Sequence, residues 1–342
     1  MRILVIGGTM FIGKLLVKRL LAADHDVTVL HRRKDHPFGK KVHNAAADRN
    51  DAAAVKAALA GQRFDAVYDF AYDWDRGTTG HQVEACAKAV PGDISRYVFM
   101  SSVAAYGDGL NHSEDDPLAS EVHPNPYVRN KASSERALFR MYHETKFPVV
   151  TMRPPFVYGP ENPFYRETFF WDRLKAGRPI IIPGDGNRLM QFVYVNDLVE
   201  ACFHALDKHT APGRAFNVGD EKALTQVDAV HAFAKAAGRE AEIVRIHRSL
   251  IAREGGNAFT DPLYFGEYYD VPPITMVIGR VKRVFGMSLT PFAEGLKETY
   301  RWYTRHAESR RRSFKFEDSL IHMVRDPQVR EPQVRDSARL SG

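Results

Sequence analysis

The chain holds only two cysteines, Cys86 and Cys202, among 342 residues. They stand far apart in sequence, so neither a disulfide framework nor a cysteine zinc site is expected, and a reducing cytoplasm is the expected compartment. No run of about 18 apolar residues occurs, so no membrane-spanning helix is expected. The chain enters a strand pattern at once, without the regions of a secretion signal. Its 14 histidines show no H-x-x-x-H or comparable spacing on a predicted helix, so no metal site is read. Charge of one sign is also scarce: 48 Lys and Arg against 42 Asp and Glu leave +6. Much of that excess falls between Arg305 and Arg339, in Arg310, Arg311, Arg312, Arg325, Arg330, Arg335 and Arg339. Such a segment suits nucleic acid or a membrane surface, but a solvated, flexible end is the plainer reading. The near-repeat DPQVR then EPQVRD, Asp326 to Asp336, favours the plainer one.

What is present begins with the first thirty-three residues. Arg2 to Ile6 is an apolar run bounded by Gly7 and Gly8, the pattern of a buried parallel strand. The turn Gly7, Gly8, Thr9, Met10, Phe11, Ile12, Gly13 leads into a helical pattern from Lys14 to Leu21, and Asp26 to Leu30 is a second strand. In a βαβ unit such a turn lets the backbone approach a pyrophosphate, and the helix N-terminus offers free N–H groups and a positive dipole. The spacing is irregular, with Met10 at the middle position, and the alternative is a plain βα turn.

Further along, a strand ends at Ala47 before Asp48, and Asp51 to Leu59 reads as a helix. Phe64 to Ala71 reads as a strand, Gln82 to Val90 as a helix, and Arg96 to Met100 as a strand running into Ser101 and Ser102. Tyr127 to Thr145 reads as a long helix and Val149 to Arg153 as a strand. This alternation predicts an α/β fold with a doubly wound parallel sheet, and Asp48, Ala71, Ser101 and Ser102 fall at strand ends where ligands collect. From Pro154 the texture changes, and PPFVYGPENPF reads as loop. The expected division is a dinucleotide-binding domain over 1–153, a smaller α/β substrate lobe over 154–305 intermixed with it, and a basic flexible tail over 306–342.

Tyr127 and Lys131 are four apart, one turn apart on one helical face. An ammonium beside a phenol stabilises the phenolate. The tyrosine then moves the proton of a C–OH while a nicotinamide takes or gives hydride. Ser102, at a strand end, is placed to hold the same oxygen. Arg32 and Arg33 follow His31 at the end of the second strand, where an NAD-selective site places an acid. Guanidinium groups there suit a 2′-phosphate, so NADP is favoured, with NAD as the alternative.

The chain resembles the extended short-chain dehydrogenase/reductase superfamily, in its NAD-dependent epimerase/dehydratase branch, over about residues 1 to 305. The carriers are GGTMFIG, SSVAAYG (Ser101 to Gly107), YVRNK (Tyr127 to Lys131), RPPFVYGPEN (Arg153 to Asn162), FVYVNDL (Phe192 to Leu198), FNVGD (Phe216 to Asp220) and EGLKETYRWY (Glu294 to Tyr303). The resemblance implies a Rossmann-type fold, a catalytic Ser102, Tyr127 and Lys131, and Lys131 also on the nicotinamide ribose. It further implies Asp48 near the adenine, Pro154 and Pro155 beside the nicotinamide, a small-molecule substrate, and a homodimer through the Tyr127 helix. The GGTxFIG turn and the Tyr68-Asp69 pair resemble the atypical branch that includes the chloroplast stem-loop RNA-binding proteins.

The departures bear on substrate. Phe156 stands where nucleotide-sugar enzymes of the family carry Asn, and Met190 where they carry a diphosphate-binding Arg, though Arg188 lies nearby. Val103 and Ala104 replace the Asp-Glu pair of the dehydratases. These four line the expected substrate side and argue against a standard nucleotide sugar and against 4,6-dehydration. The expected protein is an NAD(P)-dependent oxidoreductase or epimerase acting on a secondary alcohol or ketone. The alternative is a cofactor-binding RNA-interaction or regulatory protein, disfavoured because Tyr127 and Lys131 are both kept. Asp73, Trp74 and Asp75 are read as pocket lining or a capped loop, and Tyr264, Phe265, Tyr268 and Tyr269 as core or a substrate wall.

Overall fold

The computed structural model describes residues 1–306 and 313–326. Arg2–Ile6 (β1) is buried from Ile3 onward, as expected of a strand covered on both faces. It leads through the glycine turn into Phe11–Leu21 (α1), then Asp26–His31 (β2) and His43–Ala46 (β3). Ala52–Ala58 (α2) starts where the Asp51 carboxylate accepts the N–H groups of Ala53 and Ala54. Ala66–Asp69 (β4) is buried throughout, and Gly80–Ala89 (α3) opens on a capping box between Thr79 and Gln82. Arg96–Met100 (β5) and Gly109–His112 (β6) follow. Pro126–Thr145 (α4) begins at an Asn125 cap with proline in its first turn, and ends at Lys146 in the left-handed region. Val149–Arg153 (β7) and Phe156–Tyr158 (β8) come next.

Seven strands form one parallel sheet in the order Arg214–Asn217, β7, β5, β4, β1, β2, β3. The order reverses between β1 and β4, so the crevice at their carboxyl ends is where such a sheet binds ligands. One face of the sheet buries Val67, Tyr97 and Phe99 against Val83 and Cys86 of α3 and Leu138 and Met141 of α4.

The chain divides into two compact units. The first comprises Met1–Pro163, Leu189–Leu224 and Pro272–Thr299, and carries the whole parallel sheet. The second comprises Phe164–Arg188, Thr225–Val271 and the described residues from Tyr300 on. The chain therefore leaves the first unit at Pro163 rather than after residue 153, and returns to it twice.

Two expectations are corrected. Phe156–Tyr158 is a strand, not loop, paired in parallel with Phe192–Tyr194. Three residues between Pro155 and Gly159 are too few to show a period. Within the expected tail, Lys315–Arg325 is a helix with Leu320 and Ile321 buried, and Glu317 pairs with Arg173. Arg310 to Arg312, Arg330, Arg335, Arg339 and most of the DPQVR repeat lie outside the described residues. Among the described residues no helix is long and apolar enough to cross a membrane.

Candidate active site

The glycine turn is a cradle that side chains would fill. Gly7 has φ of +85°, and a β-carbon there would lie 2.9 Å from the Ala71 nitrogen at the end of β4. A β-carbon on Gly13 would lie 2.1 Å from the Gly7 carbonyl oxygen. At Gly8 it would meet Val5, Val17 and Val29 at 3.0 Å or less. These contacts bring the start of α1 onto the turn. Met10 is the residue before the helix, and no side chain caps the first-turn N–H groups. This is the arrangement a pyrophosphate fits. Met10 is exposed and Phe11 buried, with φ of +40°.

At the end of β2, His31 Nε2 lies 2.7 Å from Asn44 Oδ1, while Arg32 and Arg33 are exposed. Arg32 reaches Asp73 at 3.4 Å. Asp73 also accepts the N–H groups of Asp75 and Arg76 and the Arg76 guanidinium, which in turn donates to Asp48. The Arg76 N–H and then its guanidinium hold the Asp73 carboxyl below its ordinary range. Burial raises the Asp48 carboxyl, but Arg76 and the Asn50 N–H outweigh it and hold it low. Asp48, Asp73, Arg32 and Arg76 thus form one charge-balanced cluster. Of the two readings of Asp73 to Asp75, the capped turn is what Asp73 builds.

Tyr127 sits in the first turn of α4, half-buried. The Trp74 ring stacks on it at 5.3 Å and 15°, and Tyr72 meets it edge-on at 5.0 Å. One turn on, the Lys131 Nζ stands 5.7 Å from the Tyr127 ring centroid and donates to the Met100 carbonyl at 2.7 Å. Lys131 is 5% exposed. Burial drives its ammonium down, and although Asp69 and Glu135 oppose this, it is pushed down to about 8.

Ser102 follows the Met100 carbonyl by two residues, and its Oγ accepts the Ala104 N–H at 3.1 Å, starting the turn that carries Val103 and Ala104. The Val103 N–H donates to the Pro154 carbonyl, so this turn and the Pro154–Pro155 segment are tied together. Pro155 borders Gly219, where a β-carbon would lie 3.0 Å from its Cγ. Phe156 is half-buried, with Phe192 at 6.1 Å, and Met190 is buried. Arg188, in the second unit, shares the buried Asp270 with Arg248. Tyr264, Phe265 and Tyr269 are buried in that unit, and the Tyr264 hydroxyl donates to Asp270 at 2.8 Å.

Beneath the site runs a polar network that sequence reasoning missed. Glu135 of α4, fully buried, accepts from Ser101, from Thr151 at 3.2 Å and from Arg153 at 2.6 Å. Arg153 also donates to the Tyr106 hydroxyl, which donates to Asn217. Burial pushes the Tyr106 phenol up to about 12. The network fixes the ends of β5 and β7 against α4, and so fixes the serine turn against the helix of Tyr127 and Lys131. Its signal in sequence is slight: a charged residue in an apolar strand and another midway along a helix.

A parallel sheet with a glycine cradle at its reversal point defines a dinucleotide-binding α/β protein of the Rossmann type. The sequence matches the model of the NAD dependent epimerase/dehydratase family over residues 3–219, and the chain belongs to that family. The chloroplast stem-loop binding protein of 41 kDa b of Arabidopsis thaliana is 33% identical over 260 residues, 71% of this chain and 65% of its own length. A trifunctional UDP-glucose 4,6-dehydratase/UDP-4-keto-6-deoxy-D-glucose 3,5-epimerase/UDP-4-keto-L-rhamnose-reductase of the same plant is 29% identical, over 66% of this chain and 32% of its own. The chain therefore spans just under two thirds of the first relative and about a third of the second. Among solved structures, a dTDP-glucose 4,6-dehydratase from Bacillus anthracis in complex with NAD superimposes with a TM-score of 0.72 at 19% identity. That match covers 90% of this chain and 98% of the other, and shows a shared fold.

Proposed function

We propose that the chain is an NAD(P)-dependent oxidoreductase or epimerase acting on a secondary alcohol or ketone, with Tyr127 as acid/base and Ser102 and Lys131 as its partners. The observation that carries this is the buried Lys131 ammonium, fixed on the Met100 carbonyl 5.7 Å from the Tyr127 ring. A bound nicotinamide supplies the hydride acceptor or donor. In the oxidation direction the Tyr127 phenolate takes the hydroxyl proton as the carbon gives up its hydride; in reduction the phenol returns a proton to the alkoxide. Lys131 stabilises the phenolate, and the Ser102 hydroxyl holds the substrate oxygen. Gly7 to Gly13 would hold the pyrophosphate of a bound dinucleotide and Asp48 would lie near its adenine, with Ala71 also on the cofactor and Pro154 and Pro155 beside the nicotinamide. We favour NADP over NAD, on the exposed Arg32 and Arg33 and the absence of an acid at His31.

Val103 and Ala104 cannot transfer a proton, which argues against 4,6-dehydration. Phe156 and Met190 offer no polar anchor, which argues against a standard nucleotide sugar. We place the reaction in a reducing compartment, the cytoplasm, in keeping with two buried free thiols, and expect a homodimer through α4. Purified protein is analysed by mass for retained dinucleotide, then assayed with secondary alcohols and ketones by reduced-nicotinamide absorbance. Tyr127→Phe keeps cofactor binding and loses turnover; surviving turnover overturns the mechanism.

One observation favours a second reading. The 33% identical relative is named for stem-loop binding, so a cofactor-binding RNA-interaction protein on this fold is the alternative. It requires salt-dependent RNA binding that weakens when the residues after Arg305 are removed. An RNA gel shift indifferent to that truncation counts against it.

A further inference from the structure

Arg49, between β3 and α2, and Asp69, the last residue of β4, form an ion pair in the apolar layer beneath the site, 5% and 0% exposed. The Tyr97 hydroxyl donates to the same Asp69 oxygen, Oδ2, at 2.8 Å. Yet Arg49 Nε and Nη1 and Asp69 Oδ1 are buried without a hydrogen-bond partner among the described residues. A buried ion pair is by itself a poor source of stability, because desolvation offsets its attraction. Stability alone does not account for it.

Its position does. Asp69 lies opposite Phe99 of β5 in the sheet register. Tyr97 and Phe99 project from one face of β5, and Asp69 reaches the Tyr97 hydroxyl on that face. The Lys131 Nζ stands 5.2 Å from the Phe99 ring centroid and is bonded to the next carbonyl, Met100. The charges acting on Lys131 are Asp69 from β4, Arg49 from before α2 and Glu135 on its own helix, and the Tyr72 and Tyr127 ring centroids stand 5.1 and 5.7 Å from its Nζ. Cys86 of α3, Tyr97 of β5 and Arg153 of β7 complete the layer. Glu135 is already engaged by Arg153 and Ser101. Asp69 is the foremost charge favouring the ammonium against burial, and Arg49 tempers it.

We propose that Asp69, fixed by Arg49 and Tyr97, is a positioning residue whose buried carboxylate keeps Lys131 an ammonium beside Tyr127. This rests on the reading of Tyr127 and Lys131 as the acid/base pair. Asp69 touches neither substrate nor cofactor and acts only through Lys131. Arg49 keeps that charge from pinning the proton permanently, so the lysine responds to pH near the working range.

The test needs no substrate. An ultraviolet difference titration of the full chain against its Tyr127→Phe variant reads ionisation of that one phenol. Asp69→Asn, checked for fold by circular dichroism, raises the midpoint by about one pH unit, because the lysine loses its proton earlier and supports the phenolate less. Arg49→Met moves it the opposite way and serves as the reading if Asp69→Asn does not fold. Asp69→Glu, which keeps the charge and disturbs packing more, stays near the parent. If the parent phenol ionises in the ordinary tyrosine range, near 10, the acid/base reading itself fails. If it ionises lower but the folded charge variants superimpose on the parent, the role of Asp69 is overturned and that reading stands.

Discussion

Gly13, in the first turn of α1, packs onto the carbonyl of Gly7 so closely that a β-carbon would lie 2.1 Å from its oxygen. Backbone meets backbone there, so no side chain is available to yield. Gly13→Ala must move the helix off the turn, at a cost of about 1–3 kcal/mol, and widens the cradle. Thermal melting and a dinucleotide titration check this: the expected result is a lower Tm together with weakened cofactor binding. Unchanged dinucleotide affinity in the folded variant contradicts the cradle.

Lys131 trades stability for chemistry. Its ordinary value of 10.5 falls to about 8 on folding. Between those limits the unfolded chain binds the proton and the folded chain does not, so stability rises with pH through that window. Below about pH 8 the ammonium is carried buried at a cost. Lys131→Met is therefore expected to be more stable than the parent at pH 7 by roughly 1–3 kcal/mol, the gain shrinking toward pH 10.5, and to lose turnover. Urea unfolding at pH 7 and pH 10 measures both; a variant less stable at pH 7 rules this out.

Arg32 is the residue on which the dinucleotide preference is staked. It is mostly exposed and reaches Asp73 only at 3.4 Å, so it turns to a 2′-phosphate at little cost. Arg32→Ala should weaken NADP binding about tenfold or more, roughly 1.5–3 kcal/mol for a charge-assisted contact, and leave NAD nearly unaffected. Calorimetric titration of both dinucleotides checks it. Equal losses assign Arg32 to the fold rather than to selectivity.

Glu135→Gln leaves the Arg153 guanidinium buried without its counter-charge. Breaking such a pair costs about 3–5 kcal/mol, far more than any exposed ion pair of the chain. Denaturant unfolding should show that loss, and double replacement of Glu135 and Arg153 by apolar residues should recover much of it.

Much of the sheet was legible because β1, β5 and β7 are covered on both faces and therefore read as mainly apolar runs. The start of α4 was legible from its polar, proline-bearing approach, and it begins at Pro126. Phe156–Tyr158 was not, being too short for a period. Lys315–Arg325 was hidden because its charges, one of them the buried Glu317, dominated the composition of a segment read as a tail. Arg49 and Asp69 lie 20 residues apart. Nothing in the sequence pairs the two until the sheet order sets β4 between β1 and β5. Trp74 and Tyr72, which meet Tyr127, sit in a loop whose sequence carries no period at all.

The Asp73 turn joins two things usually engineered separately. Its carboxylate grips Arg32 and Arg76, and the very next residue is Trp74, stacked on Tyr127. Any redesign of cofactor preference at Arg32 removes a partner from the residue that aims Trp74. On the proposed reading, cofactor choice and the wall over Tyr127 are therefore one inherited trait, and a laboratory selecting for either should expect second-site changes in residues 73–76.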